Sequence, residues 1–385
     1  MHSIPMPIKT RFAAFILTIF TSNSQASMIE ERTEINETEN SAIAIDFVLN
    51  DLMERSKQGT NETPVFRRAF HNKANACLIG QFSVYADIPS EFKIGLFAEA
   101  KTFNAWLRYS NGSSKRNADS TRQPRALAFK VLDTKIPMLE SEEGSNYSHD
   151  FLMANQSVFF LKSLEELVTD GIDFFNGEFF GLPFNALERF NRAATPSINP
   201  LQTQFFSQSA YALGTDKAVK YRLSPCINNA NPEINRSASN GIRAALYEGA
   251  SQQENCYVFS IQQRQDPENE PIENPTIEWK SPFYPIAQLD IPQQGFNDIS
   301  QDKLCEELSF NPWHAGSDHR PLGALNRVRQ LAYKLAALKR RGALPEPASD
   351  SIENFGLFYV PVNLTGKLSI SALFLLTLLY LFRRH

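Results

Sequence analysis

The side chains whose types and spacing could do chemistry fall in three segments. The first is RRAFHNK, which sets Arg68 three residues before His71. The second is WLRYSNGSSKRNADSTRQPRALAFKV, which carries Arg108 and Ser110. The third, NRVRQLAYKLAALKRR, holds Arg329 and Tyr333 one helical turn apart, with Arg340 near its end. Taken singly, each has a plain structural reading: a surface Arg–His pair, a serine that ends a strand, an i, i+4 contact on a helix face. Of the other histidines, His2 and His385 are terminal, and His149 beside Asp150 reads as a turn residue. His314 and His319 flank a Gly-Ser loop, which reads as solvated or capping in preference to a metal pair. There is no GxGxxG, P-loop, GxSxG or HExxH. Cysteines 77, 226, 256 and 305 form no CxxC pair, so a zinc ribbon or thioredoxin-like site has no support. They are too scattered to fix a connectivity; Cys226 with Cys256 would close the shortest loop, and four free thiols are an equal alternative.

The elements that must position these residues are of two kinds. From Leu78 to Val131 short apolar runs (CLIGQFSVYA, IGLFAEA, FNAWLRYS, RALAFKVL) lie between Gly, Pro, Asn and Ser clusters, several alternating with period 2, as antiparallel strands do. Residues 158–194 read as helical, LKSLEELVTDGIDFFNG most clearly. Residues 217–292 return to strands, and Gly323 to Arg341 reads as an amphipathic helix with a basic end. Strands, helix, strands, helix is an α+β order for a body of residues 63–343. The chain has 42% hydrophobic and 21% charged residues, enough apolar content for a sizeable core. Its 30 phenylalanines suit a thick core or the wall of an apolar cofactor pocket. A net charge of −4 without a long basic patch speaks against nucleic acid as a partner.

Both ends read as targeting segments. Lys9 and Arg11 precede an apolar run, Phe12 to Phe20, and a polar stretch ending at Ala26, the layout of a signal peptide over 1–26. Residues 27–62 form a polar arm with a helix-like stretch, AIAIDFVLNDLMERS. Residues 344–363 contain prolines and read as a linker. In 364–385 no residue from Leu368 to Phe382 is charged, and Arg383 and Arg384 follow, which reads as a membrane anchor or sorting tail. The expectation is an exported domain tethered to a membrane.

The three segments, taken in order, resemble the haem catalases. That family's Arg-x-x-His-Ala-Lys is matched by Arg68-Ala-Phe-His71-Asn-Lys73, and its Arg-Phe-Ser by Arg108-Tyr109-Ser110. Its Ala-Asp…Arg-Asp-Pro-Arg-Gly-Phe-Ala-Val-Lys stretch is matched by Ala118-Asp119 through Arg122, Pro124, Arg125 and Ala128 to Lys130. Asp150-Phe-Leu-Met-Ala154-Asn155-Gln-Ser-Val-Phe159-Phe160 matches the family's Asp-Leu-Val-Gly-Asn-Asn-x-Pro-x-Phe-Phe. Phe310-Asn-Pro312 and then Arg329-x-x-x-Tyr333 match the helix that lies under the haem. The order is kept over most of residues 63–343.

The resemblance implies an α+β fold: an antiparallel β-barrel core, surrounding helices and a C-terminal proximal haem helix. It implies haem b, with Tyr333 as the axial iron ligand. A phenol titrates near 10, so iron and Arg329 must hold Tyr333 as phenolate. His71 would be the distal general base and acid, oriented by Ser110. Arg68, Arg108 and Arg340 would bind the haem propionates, and Phe159 and Phe160 would line the distal pocket. The family's distal Asn falls on Ala154 in the gap-free match; Asn155 is the neighbouring candidate. The implied function is a haem peroxidase or weak catalase acting on hydrogen peroxide or organic hydroperoxides. The alternatives are an allene-oxide-synthase-like hydroperoxide rearrangement and a non-enzymatic haem-binding protein. A homo-oligomer is compatible with the family.

Overall fold

The computed structural model describes residues 28–60, 64–141, 147–297 and 299–341. The expected signal peptide, linker and C-terminal anchor lie outside the described residues. Among the described residues no helix is long and apolar enough to cross a membrane.

Eight strands close into an antiparallel barrel. In chain order the strands are β1 (Ala74–Val84), β2 (Thr102–Asn111), β3 (Arg125–Val131), β4 (His149–Ala154), β5 (Phe205–Phe206), β6 (Tyr211–Leu213), β7 (Lys217–Pro225), β8 (Asn255–Gln263) and β9 (Phe283–Ile291). Pairing runs β8-β9-β1-β2-β3-β4-β5-β7, and β7 pairs back onto β8, so no edge is left; β6 is an extra strand on β7. Alternation sends one set of side chains inward: Leu78, Phe82, Leu107, Leu127, Phe129, Phe151, Tyr221 and Phe259 are all buried in the barrel core. Aromatic rings fill it, with Phe129 and Phe151 stacked at 4.7 Å and Phe82 edge-on to Phe259 at 5.3 Å. Nine of the chain's 30 phenylalanines are therefore barrel core.

Helices pack outside. Helix α1 runs through three consecutive segments, Glu37–Asp46, Phe47–Leu52 and Met53–Arg55, within the expected N-terminal arm. Helix α2 likewise joins Leu164–Glu166, Leu167–Gly171 and Ile172–Asn176, its start capped by Ser163 Oγ accepting from the Glu166 N–H at 3.1 Å. The others are α3 (Phe184–Ala193), α4 (Gly241–Gln252), α5 (Ile299–Glu307) and α6 (Ala324–Arg341). Ala44 of α1, Leu164 of α2 and Ala324 and Val328 of α6 share one apolar cluster. Carboxylates seat the N-terminus of α6: the Gly323 N–H donates to Glu31 at 3.0 Å and the Ala324 N–H to Glu273 at 2.8 Å.

Several sequence expectations are corrected. IGLFAEA is a loop with a single 3-10 turn, Gly95–Phe97. Helix α4 interrupts the stretch read as strands, because its apolar residues Ile242, Ala245, Leu246 and Ala250 face the barrel. His149 sits in β4, stacked on Phe151 at 4.5 Å. His314 and His319 are fully buried, so their loop is not solvated; His314 Nδ1 is engaged by Asp150. His319 Nε2 accepts from the Leu96 N–H at 2.9 Å. The cysteines form two disulfides, Cys77–Cys305 and Cys226–Cys256.

These buried histidines make the fold acid-sensitive. Desolvation holds the His319 pKa down to about 3, and burial beside His319 holds His149 well below its usual value. The unfolded chain binds these protons near 6.5, so the stabilisation is complete above that pH and fades as pH falls towards 3. His319 alone should then cost about 2 kcal/mol between pH 7 and pH 5. Urea unfolding at the two pH values, disulfides intact, measures it; equal midpoints would refute the assignment.

Candidate functional site

The site lies on the outside of the barrel, where β2, β3 and β4 present their second face to α6. Register defines that face. Ser110 pairs with Ala126, and Ala126 with Ala154; one row along, Cys77 pairs with Arg108 and Arg108 with Ala128. Directly paired residues point the same way, so Ser110, Ala126 and Ala154 form one line of small side chains and Arg108, Ala128 and Leu152 the next. The result is a flat apolar floor edged by one hydroxyl and one guanidinium.

His71 comes to this floor from the segment before β1. Its backbone has φ +55, uncommon for a residue other than glycine, and its N–H donates to the Gly112 carbonyl at 3.3 Å. Ser110 Oγ lies 3.3 Å from His71 Nδ1. The flanking backbone is held by buried Asp119, which accepts from Lys73 Nζ at 2.8 Å, Asn75 Nδ2 at 3.0 Å, Asn111 Nδ2 at 2.9 Å and the Ile242 N–H at 2.9 Å. Desolvation, then the positive charges of Arg108, Arg329 and Arg68, bring the His71 pKa down to about 3. The imidazole is thus neutral across the physiological range. Arg329 belongs to α6, so its influence on His71 reflects a site with the helix on one side and the histidine on the other.

On α6, Arg329 Nη2 donates to Tyr333 Oη at 3.4 Å, and its guanidinium lies 5.0 Å from the Tyr333 ring centre. A second nitrogen, Nη1, donates to Asn326 Oδ1 at 2.9 Å. Asn326 in turn donates to the Ala210 and Leu322 carbonyls, which fixes the rotation of the helix. The phenolic oxygen is therefore already beside a fixed positive charge.

Arg68, Arg108 and Arg340 come from three distant places and converge. Arg68 donates to the carbonyls of Cys305 at 3.1 Å and Leu308 at 2.6 Å; Arg340 donates to those of Glu306 and Leu308. The Glu306 carboxylate lies 3.5 Å from Arg108 Nη2 and 4.0 Å from Arg68 Nε. Burial opposes its ionisation, but Arg108, Arg68 and Arg340 outweigh burial and keep its pKa below the usual value. Register and cross-link explain the meeting: Cys77 is directly across from Arg108, and the Cys77–Cys305 disulfide brings the next residue, Glu306, to it. Sequence reasoning missed Glu306; its only local cue is its place shortly before Phe310-Asn-Pro312.

The structure brings together His71, Ser110, Arg68, Arg108, Arg329, Tyr333 and Arg340 on this side of the barrel. Phe159 and Phe160 lie on the way to α2 and α3, their rings 4.5 Å apart, in the cluster around Leu161 and Phe190. Asn155 is placed differently. Its Oδ1 accepts from the Arg125 N–H at 2.8 Å and its Nδ2 donates to Thr195 Oγ1 at 3.1 Å, so its amide stitches β3 to the loop after α3. It lines a cavity of about 380 Å³ whose walls include neither His71 nor Tyr333. Ala154 is the residue in line with Ser110.

The residues fit a haem. The guanidiniums of Arg68 and Arg108 already lie against one carboxylate, as they would against a propionate, Arg340 sits on the neighbouring carbonyls, and the Arg108 Nε–H is buried without an acceptor. Among the described residues no group of three or more His, Cys, Asp or Glu could hold a bare metal ion. A lone tyrosine suits iron already carried by a macrocycle.

No protein-family model matches the chain, and no curated protein matches it by sequence. Solved catalases do match in structure. A fungal catalase aligns with TM-score 0.56 at 17% identity, over 73% of this chain and 61% of its own. Catalase A from Saccharomyces cerevisiae aligns with TM-score 0.56 at 18% identity, over 73% and 62%. A bacterial catalase aligns with TM-score 0.54 at 16% identity, over 74% and 59%. The matched part spans about three fifths of the length of these catalases. At such identity the likeness establishes architecture alone: the chain has a catalase-like fold, a closed antiparallel barrel with helices around it.

Proposed function

We propose that this chain is a haem oxidoreductase acting on hydrogen peroxide or organic hydroperoxides. One observation carries the reading. His71 lies against Ser110, Arg329 bonds Tyr333 and bears electrostatically on His71, and Arg68 and Arg108 face the Glu306 carboxylate while Arg340 donates to the Glu306 carbonyl. Tyr333 would hold the iron of haem b, and the three arginines its propionates. When bound, haem supplies the two-electron chemistry that splits a peroxide O–O bond.

The protein's own contribution is proton handling. If Nδ1–H donates to Ser110, the other ring nitrogen of His71 keeps its lone pair, would take the proton from the peroxide oxygen that is retained and would give it to the other oxygen, which departs as water or alcohol. A low pKa leaves the base unprotonated at rest and makes it, once charged, give its proton up readily, so the first transfer is the more demanding of the two. Arg329 Nη2 donates to the Tyr333 hydroxyl oxygen and so orients the phenol. Disproportionation turns two hydrogen peroxide molecules into two waters and dioxygen, and it needs a second peroxide held in line. Peroxidation instead takes both electrons from an aromatic donor and leaves an alcohol or water. With Ala154 in line with Ser110, no amide is offered there to orient peroxide, which favours the second reaction. The two disulfides support an exported domain in an oxidising compartment, and the sequence of 364–385 supports a tether to a membrane.

Tyr333→Phe tests the reading. The purified protein is expected to show a high-spin ferric Soret band, and the variant to lose haem or change that band. An identical spectrum in the variant would remove Tyr333 as the ligand.

A further inference from the structure

Residues 177–183, Gly-Glu-Phe-Phe-Gly-Leu-Pro, join α2 to α3, whose first residue is Phe184. Gly177 and Gly181 have φ +84 and +98, and a Cβ at either would meet nothing within 4 Å. They bend the chain so that the pair between them projects. Phe180 is fully exposed, Phe184 is 82% exposed and Phe179 is 54% exposed. Three neighbouring phenylalanines on a surface are unlike the scattered apolar residues any protein exposes. Glu178 is the sole charged residue of the segment, and the nearby Glu188 and Arg192 offset one another as a pair at 4.0 Å.

Behind the loop the aromatic contacts continue inward. Phe179 meets Phe174 at 5.6 Å, Phe174 meets Phe175 at 5.8 Å, and Phe175 meets Phe70 at 5.0 Å. Phe160 also meets Phe175, at 6.1 Å. Phe70 directly precedes His71. One wall of rings thus runs from the exposed loop to the residue beside the proton-transfer group.

We infer that residues 177–184 seat on a lipid surface and admit a hydroperoxide carried on an acyl chain along this wall towards His71. The second half of this statement rests on the peroxide reading; the first does not. A protruding tip of adjacent rings inserts into a fluid apolar phase more readily than it packs on a second rigid copy. Such rings occur where proteins meet the bilayer interface. The chain's own uncharged run from Leu368 to Phe382, closed by Arg383 and Arg384, has the composition of a bilayer-seated segment. Because the loop carries little net charge, binding is to neutral lipid and is insensitive to salt.

The test uses the full chain with Phe180→Trp. The native tryptophans, Trp106, Trp279 and Trp313, are all buried, so the new indole reports the loop alone, whatever the tail does. Its emission is expected to move to shorter wavelength with neutral phosphatidylcholine vesicles and to be quenched by lipids brominated on the acyl chains. No change with vesicles overturns the docking. A shift that appears on raising protein concentration without lipid also overturns it, by assigning the loop to a second copy. A second variant, Phe179→Ser with Phe180→Ser, is expected to lower kcat/KM for a vesicle-borne acyl hydroperoxide by about tenfold or more, with hydrogen peroxide turnover unchanged. Equal loss on both peroxides, or on neither, overturns the entrance. If the indole inserts while no peroxide is turned over at all, the docking stands and the peroxide reading falls.

Discussion

Replacing His71 with Ala is expected to lower peroxide turnover by about 10²-fold or more, the usual scale for a lost general acid–base group. The argument rests on environment as much as on identity. Desolvation and the charges of Arg108, Arg329 and Arg68 hold the imidazole pKa at about 3. His71 is then neutral, and able to accept a proton, through the range from pH 6 to pH 8. Turnover of the wild type should accordingly be flat between pH 6 and pH 8, without the inflection near 6.5 that an ordinary histidine would impose. Ser110→Ala should cost less, because it frees the ring to rotate and leaves its nitrogen in place. Ala154→Asn should act in the opposite sense and raise oxygen evolution relative to peroxidation of an aromatic donor. Steady-state rates with hydrogen peroxide and with an organic hydroperoxide, at matched haem content, measure all three. A His71→Ala protein as active as wild type would move the proton-transfer group elsewhere.

Asp150→Ala is expected to destabilise the fold by about 3–5 kcal/mol, the scale for breaking a buried ion pair. Asp150 is fully buried on the outer face of β4. It accepts from Lys130 Nζ at 3.1 Å, from His314 Nδ1 at 2.8 Å and from the Asn311 N–H at 3.0 Å. Lys130 is itself 2% exposed, so removing the carboxylate leaves an ammonium in the interior without its counter-charge. The pair also fastens the 311–319 loop, which leads into α6 and hence to Tyr333. Asp150→Asn should lose less, since it can still accept from the Asn311 N–H. Asp150→Leu combined with Lys130→Met should recover part of the loss, because apolar residues of similar volume replace both charges while the Asn311 N–H stays without an acceptor. Denaturant unfolding of the four proteins gives the comparison. A single Ala variant within 1 kcal/mol of wild type would mean that water reaches Lys130.

Local pattern was enough for a large part of this architecture. Period-2 runs mark β1, β2, β3 and the strands beyond residue 217 because one side of each strand faces the barrel core. Helical spacing marks α6 because Ala324, Val328 and Ala332, each four residues apart, are buried on one side of it. Arg68, His71, Arg108, Ser110, Arg329, Tyr333 and Arg340 were recognisable from short motifs in a fixed order. What stayed illegible depends on chain segments far apart in sequence. IGLFAEA reads as a strand, yet its glycine adopts a positive φ over the buried His319. His314 reads as a loop residue until Asp150 and Lys130 close over it. Glu306 is one acidic residue among many until the Cys77–Cys305 bridge sets it against Arg108. Whether Ala154 or Asn155 faces the cleft is likewise decided by the pairing of β2, β3 and β4, since a shift of one residue turns a side chain to the opposite face. The sequence by itself determined which residues could do the chemistry and which elements carry them. Only the tertiary structure decided their partners, because burial, register and the cross-link act between residues that no local window contains.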